Sequence, residues 1–172
     1  MILLLLALAL QRPAQPAPSG GVVIDRILAV VSTRPIMLTD VSAAIEFHLV
    51  DIPPGTADPT AYVLDRMIRR TLLLTEVDRF QPPAPDETEI TRRFDDIERR
   101  AGSPAAFERA LAVTGTTRDQ LRRFIRDDLR IRTYVLQRFG ADRPEAEVNQ
   151  RVDAWVGDLR RRTEISVLYQ GK

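Results

Sequence analysis

Cysteine is absent from the 172 residues, histidine occurs once, at position 48, and lysine occurs once, at position 172. Without cysteine there is no disulfide, no thiol nucleophile and no thiolate metal site. A single histidine, His48, leaves no pair to bind zinc and no Cys–His dyad, and it reads as a helix-surface or packing residue. Neither sign of charge dominates: 25 basic residues face 24 acidic ones, for a net charge of +1. The arginines alternate with acids, and no aromatic stacking platform accompanies them, so no nucleic-acid interface is indicated. No glycine-rich phosphate loop, nucleophile elbow or metalloprotease motif occurs. The N-terminal apolar run Ile2–Leu10 has only nine residues, against the ~20 a bilayer crossing needs.

What is present is an ordinary globular composition, 44% hydrophobic and 28% charged, in a chain long enough for one domain with a real core. Ile2–Leu10 fits the apolar centre of a secretory signal, and Ala7-Leu8-Ala9 offers a small-x-small cleavage pattern, although only Met1 precedes the run and a positive leader is missing. Arg12–Gly21, rich in Pro, Gly and Ser, reads as a flexible linker. The expected organisation is therefore a signal-like segment and linker over residues 1–21, cleaved or retained as an N-terminal anchor, and a single domain over residues 22–172. The mature protein is expected outside the cytoplasm.

Within that domain the stretch from Val22 to Val41 holds two apolar runs, Val22–Val31 and Ile36–Leu38, joined by a polar turn at Ser32-Thr33-Arg34-Pro35. Val, Ile and Thr dominate, which favours strands. An isolated hairpin buries too little apolar surface to stand alone, and the other strand-like run is Thr163–Tyr169, with Ile165, Val167 and Tyr169 on one side. The two chain ends are thus expected to meet in a small sheet.

Six helices are expected between them. The first is capped by Thr39 or Asp40, carries Val41, Ile45 and either His48 or Leu49 on one face, and runs to Pro53. The second spans Thr60–Phe80 with an apolar face wide enough for burial on more than one side. A capping box of Asp86 and Glu89 opens the third, with Ile90, Phe94 and Ile97 inward and Gly102 past its end. Ser103-Pro104 starts a short fourth helix with Phe107, Leu111 and Val113, closed by Gly115. Thr117 and Gln120 form a second capping box for a long fifth helix ending at Phe139, with Arg123–Asp127 and Asp128–Arg132 as charge pairs four apart. Asp142 and Glu145 frame the sixth, where Val148, Val152, Trp155, Val156 and Leu159 fall at helical spacing and Arg160-Arg161-Arg162 favour the last turn. The fold class expected is mainly α: about six helices with a small β-sheet formed by an N-terminal hairpin and the C-terminal strand.

Catalysis finds no home in this pattern. Asp95-Asp96 and Asp127-Asp128 are adjacent carboxylates, and neighbours on a helix point about 100° apart, so they do not converge as an acid/base pair must. They read as solvated charged faces. Asp86, Glu87 and Glu89 read as helix-start acids rather than as a metal site. Neither metal nor cofactor is called for.

The segment Val23-Ile24-Asp25-Arg26-Ile27, then Ala29-Val30-Val31, Ile36-Met37-Leu38 and Thr39-Asp40-Val41 resembles the N-terminal segment of SurA-type periplasmic chaperones, the family joined to parvulin peptidyl-prolyl isomerase domains. YVLDRMIRRTLLLTEVDRF is similar to the helix that follows in that family, DETEITRRFDDIERRAGSPAAFERALAVTGTTRDQLRRFIRDDLRIRTYV to the next three, and WVGDLRRRTEISVLY to its last helix and strand. Only Gly140-Ala141-Asp142-Arg143-Pro144 separates the fifth helix from the sixth, whereas a parvulin domain needs ~90–100 residues. The resemblance therefore implies a minimal chaperone core without isomerase activity. It implies an exported, ATP-independent holdase for unfolded or extended polypeptides, in the family's case outer-membrane protein precursors, with no nucleic acid, no stable membrane insertion and a monomeric or weakly dimeric state.

A holdase needs an exposed apolar surface of a few hundred Å². Phe94, Ile97, Phe107, Leu111 and Phe124, on the central helices, are the candidate client-binding residues; the same stripes equally fit a core. Two other functions remain open at this point: a peptidyl-prolyl isomerase, or an assembly subunit whose groove takes one dedicated partner.

Overall fold

In the computed structural model, which describes residues 25–140 and 142–171, the hairpin is tighter than its sequence suggested. Strand β1 (Ile27–Val31) and strand β2 (Arg34–Met37) pair antiparallel across the two-residue turn Ser32-Thr33. Ser32 takes the positive φ of 57° that such a turn demands. Arg34 and Pro35, expected in the turn, belong to β2, and residues 22–24 of the expected first strand lie outside the described residues, as do the signal-like run and the linker. Pro35 is tolerated because β2 is an edge strand, where a missing amide can face outward. The closing strand β3 (Ile165–Val167) pairs antiparallel with β1, giving the order β2-β1-β3. It is shorter than the expected Thr163–Tyr169, although Leu168 and Tyr169 still donate to the Leu28 carbonyl at 2.8 and 3.0 Å. The expected meeting of the two chain ends in one sheet is what the structure shows.

Six helices fill the described chain between β2 and β3: α1 (Leu38–Glu46), α2 (Pro59–Phe80), α3 (Glu87–Arg100), α4 (Pro104–Thr114), α5 (Arg118–Phe139) and α6 (Glu145–Arg162). Two starts follow the side-chain capping chemistry read from the sequence. Ser103 accepts from Ala106 at 3.2 Å, and Thr117 and Gln120 satisfy each other's backbone amides at 3.2 and 2.7 Å. Four starts differ. Helix α2 begins at Pro59, before the expected Thr60, with the Asp58 carboxylate accepting from Ala61 at 2.9 Å. Helix α1 begins at Leu38, where the Asp40 carboxylate accepts the Met37 amide at 2.9 Å; Thr39 instead donates its hydroxyl to Asp25 at 2.6 Å. At α3 the Asp86 carboxylate accepts from Thr88, while Glu89 turns outward to Arg92 and Arg93, so the reciprocal half of that box does not form. Helix α6 starts after Pro144 with no side-chain cap, so Asp142 and Glu145 do not frame it as expected.

The largest correction is at the end of α1, which stops at Glu46 rather than continuing to Pro53. His48 adopts a left-handed φ of 51°, the Leu49 amide reaches back to Ala44 at 2.9 Å, and the His48 amide reaches Ile45 at 3.2 Å. This is the six-to-one and five-to-two bond pattern of a helix C-terminus, with histidine in the place glycine usually takes. Leu49 is thereby swung out of the helix face into the space between the two halves of the core.

Those halves are distinct. One cluster packs the sheet against α2 and α6, through Leu28, Val31, Val63, Leu64, Leu72, Val152 and Val156 among others. The second packs α1, α3, α4 and α5 around Phe47, Ile90, Phe94, Phe107, Leu121 and Ile125. Leu49 packs against both. The wide apolar face of α2 is explained by this arrangement, since the helix is enclosed by the sheet, α5 and α6. Val113 is 83% exposed and not part of the inner face of α4. The pairs Arg123–Asp127 and Asp128–Arg132 are not among the ion pairs of the described residues; Asp127 meets Arg130 and Asp128 meets Arg70. No helix among the described residues is long and apolar enough to cross a membrane.

Candidate functional site

The turn after α1 determines where the surface becomes concave. Because His48 ends the helix, Leu49 and Val50 lie between α2, α3 and α5 and leave a depression on either side. One, of about 300 Å³, is lined by His48, Arg92, Arg93, Ile97 and Arg100. The other, of about 390 Å³, is lined by Tyr62, Arg66, Met67, Arg70, Leu73 and Ile131. Both share Leu49, Phe124 and Asp128, so they form one groove with an apolar saddle. A third hollow of about 550 Å³, between α1, α3 and α4, extends it past His48, Ile97 and Arg100.

Arg70 lines the second depression beside Phe124. Its guanidinium lies 3.9 Å from the centroid of the Phe124 ring and donates to the Phe124 carbonyl at 2.9 Å. Its Nε stands 3.4 Å from Asp128 Oδ1, close enough for charge attraction, yet it makes no aligned hydrogen bond. Asp127 is 3.8 Å away. The arginine reaches these acids from α2 across the interface with α5, so it ties the two halves of the core together.

Crowding perturbs the titration of the group. Burial lowers the Arg70 pKa from its usual range, opposed by the attraction of Asp128, Asp127 and Asp40. Burial raises the carboxyl of Asp128, against the pull of Arg70; with 48% of that side chain still open, water tempers the effect. Asp40 is likewise raised, first by burial and further by the nearby Asp25, while the Met37 amide holds it down. The rim is paired at the surface: Glu89, held by Arg92 and Arg93, is lowered to about 2, and Asp96 takes Arg92 and Arg99. The groove thus places Leu49, Phe124 and Ile131 among charges most of which are paired, a surface suited to covering a polypeptide segment. Among the described residues no cluster of His, Cys, Asp or Glu is arranged to hold a metal ion.

Of the five candidate client-binding residues, four are interior. Phe94, Ile97, Phe107 and Leu111 are exposed by 2%, 6%, 0% and 6%, and Phe107 makes edge contacts with Phe94 and Phe47 at 5.7 and 5.6 Å between centroids. Arg118 and Arg122 lie over these rings, 4.9 Å from Phe107 and 4.5 Å from Phe94, so guanidinium stems close the core where an aromatic surface would open. In this conformation those four side chains offer almost no area to a client, although Ile97 borders the first depression. Phe124 is half-buried and stands in the groove. Tyr62, Arg66, Arg70 and Ile131 were not singled out from the sequence. The signal available for Arg70 was its place, with Arg69, in a helix whose wide apolar face called for burial on more than one side.

No protein-family model matches the chain. Chaperone SurA of Bordetella pertussis (strain Tohama I) is 30% identical over 158 residues, which cover 88% of this chain and 30% of that relative. Chaperone SurA of Bordetella bronchiseptica (strain RB50) matches with the same identity over the same extent. The chain is distantly SurA-like. The match takes in most of its length, while the chain spans about 30% of the length of the curated relatives. These are proteins of the kind that the Val23–Val41 pattern resembles.

Proposed function

We propose that residues 22–172 form one SurA-like chaperone domain that holds unfolded or extended polypeptides without ATP, outside the cytoplasm, and that its clients are outer-membrane protein precursors. The observation that carries this reading is the groove itself: Leu49, Phe124 and Ile131 line it beside charges most of which are paired, Arg70 with Asp128 and Arg92 and Arg93 with Glu89. Such a surface covers apolar segments of many sequences. The similarity to curated chaperones over most of the chain supports it. Export is supported by the apolar run Ile2–Leu10 and its small-x-small site.

The domain acts by covering its client and not by catalysing prolyl isomerisation, since five residues between α5 and α6 leave no room for an isomerase domain there. Light scattering of an unfolded outer-membrane protein diluted from denaturant tests this. Equimolar protein is expected to suppress aggregation, and substoichiometric protein is expected to leave the proline-limited phase of a refolding protein unchanged. Acceleration of that phase at catalytic ratio would make the protein an isomerase. Suppression confined to one client among several would make it an assembly subunit with a dedicated partner.

A further inference from the structure

Resting on the chaperone role just proposed, we infer that the outer edge of β3 adds an extended client segment as a fourth strand, so that the client is recognised by its backbone as well as by its apolar side chains. The hydrogen bonds to β1 fix which backbone groups point away from it. Ser32 donates to the Glu164 carbonyl at 2.8 Å and Leu168 donates to the Leu28 carbonyl at 2.8 Å. In an antiparallel ladder these groups alternate along a strand. Residues 164, 166 and 168 therefore face β1, and the amides and carbonyls of Ile165 and Val167 face away from the sheet.

The two edges of this sheet differ. By the same alternation Val30 and Pro35 oppose each other without exchanging bonds, so at β2 the outward position belongs to a residue with no amide hydrogen. The β3 edge has neither proline nor lysine. Val167 and Leu168 are 55% and 58% exposed, and Ile27 beside them on β1 is 41% exposed. An edge whose outward backbone groups have no partner among the described residues, and whose flanks are apolar, is a template for strand addition, in which backbone bonds give affinity independent of sequence.

The size of the edge selects its occupant. Three residues of strand bury far less than the ~1,200 Å² at which stable interfaces begin, so a second copy paired here would not form a lasting dimer. A transient contact suits a segment that must later be released to fold. The main chain is also the one feature common to all unfolded clients.

The test uses the full chain, a fluorescent extended peptide from an outer-membrane β-strand, and the same peptide N-methylated at alternate residues. Wild-type protein is expected to bind the methylated peptide about five- to tenfold more weakly, the effect of losing one or two net hydrogen bonds. Val167→Pro removes an outward amide and none facing β1; it is expected to weaken the parent peptide similarly while its own melting stays close to wild type. Should Val167→Pro fail to fold, the two peptides on wild-type protein still decide. Equal binding of both peptides, together with intact suppression of client aggregation, overturns the edge and leaves the holdase reading standing. Loss of aggregation suppression by the wild-type protein overturns both. Sedimentation showing a stable dimer that Val167→Pro dissociates would also overturn the proposal, because a second copy would then occupy the edge.

Discussion

Arg70 is 14% exposed at its side chain, is flanked by two acids of one helix, and covers the Phe124 ring. Removing one partner of a buried charge group leaves the others uncompensated, but Asp127 and Asp128 keep 33% and 48% exposure and can rehydrate. Arg70→Ala is therefore expected to cost about 1–3 kcal/mol in urea unfolding, part of it lost packing on Phe124; an unchanged midpoint would remove Arg70 as a tie between α2 and α5. Asp40 gives a pH signature. Its pKa is raised in the folded state by burial, so the fold favours its protonated form. That contribution is fully present below about pH 3.8 and is lost as pH rises through the folded value. Asp40→Asn keeps an oxygen to accept the Met37 amide and cannot ionise. Its stability relative to wild type is expected to increase between about pH 3 and pH 7, measured by urea midpoints at each pH. A difference that stays constant or falls would place Asp40 in a balanced ion pair with Arg70.

At the scale of elements, the starts of α4 and α5 were legible because capping is local: Ser103 and Thr117 each satisfy an amide three residues on. The end of α1 was not legible, since its sequence lacks the glycine that ordinarily marks a left-handed C-terminal residue and His48 fills the position. That single difference moved Leu49 from a helix face to the groove, so the site could not have been assembled from helical periodicity. His48→Gly is expected to raise stability by about 0.5–1 kcal/mol by relieving the left-handed side chain. A loss on thermal melting would show that the imidazole has a role beyond ending the helix. Nor does periodicity separate an interior stripe from an exposed one, which is why Phe94 and Phe107 fitted both roles on sequence alone. Phe107, fully buried against Phe47 and Phe94, should cost about 3–5 kcal/mol when cut to alanine. A stable Phe107→Ala protein with impaired client binding would return that residue to the surface.

Across the whole molecule, the chain ends are joined by the sheet and by the Tyr169 hydroxyl, 3.1 Å from Asp58 at the start of α2. Deleting Thr163–Lys172 uncovers Ala29 and Val31 on β1 and is expected to lower the melting temperature or abolish cooperative unfolding; unchanged melting would disprove the clasp. The two halves of the core meet at Leu49, Phe124 and Arg70, and the concave surface follows from that junction rather than from a motif. An unfolded client is expected to lie in this groove. Photo-crosslinkers placed singly at Arg66 and Ile131, with Val113 on α4 as an exposed control, measure it directly during suppression of aggregation. Client adducts at positions 66 and 131 and none at 113 are the predicted result. Equal labelling at all three, or labelling at 113 alone, would contradict it.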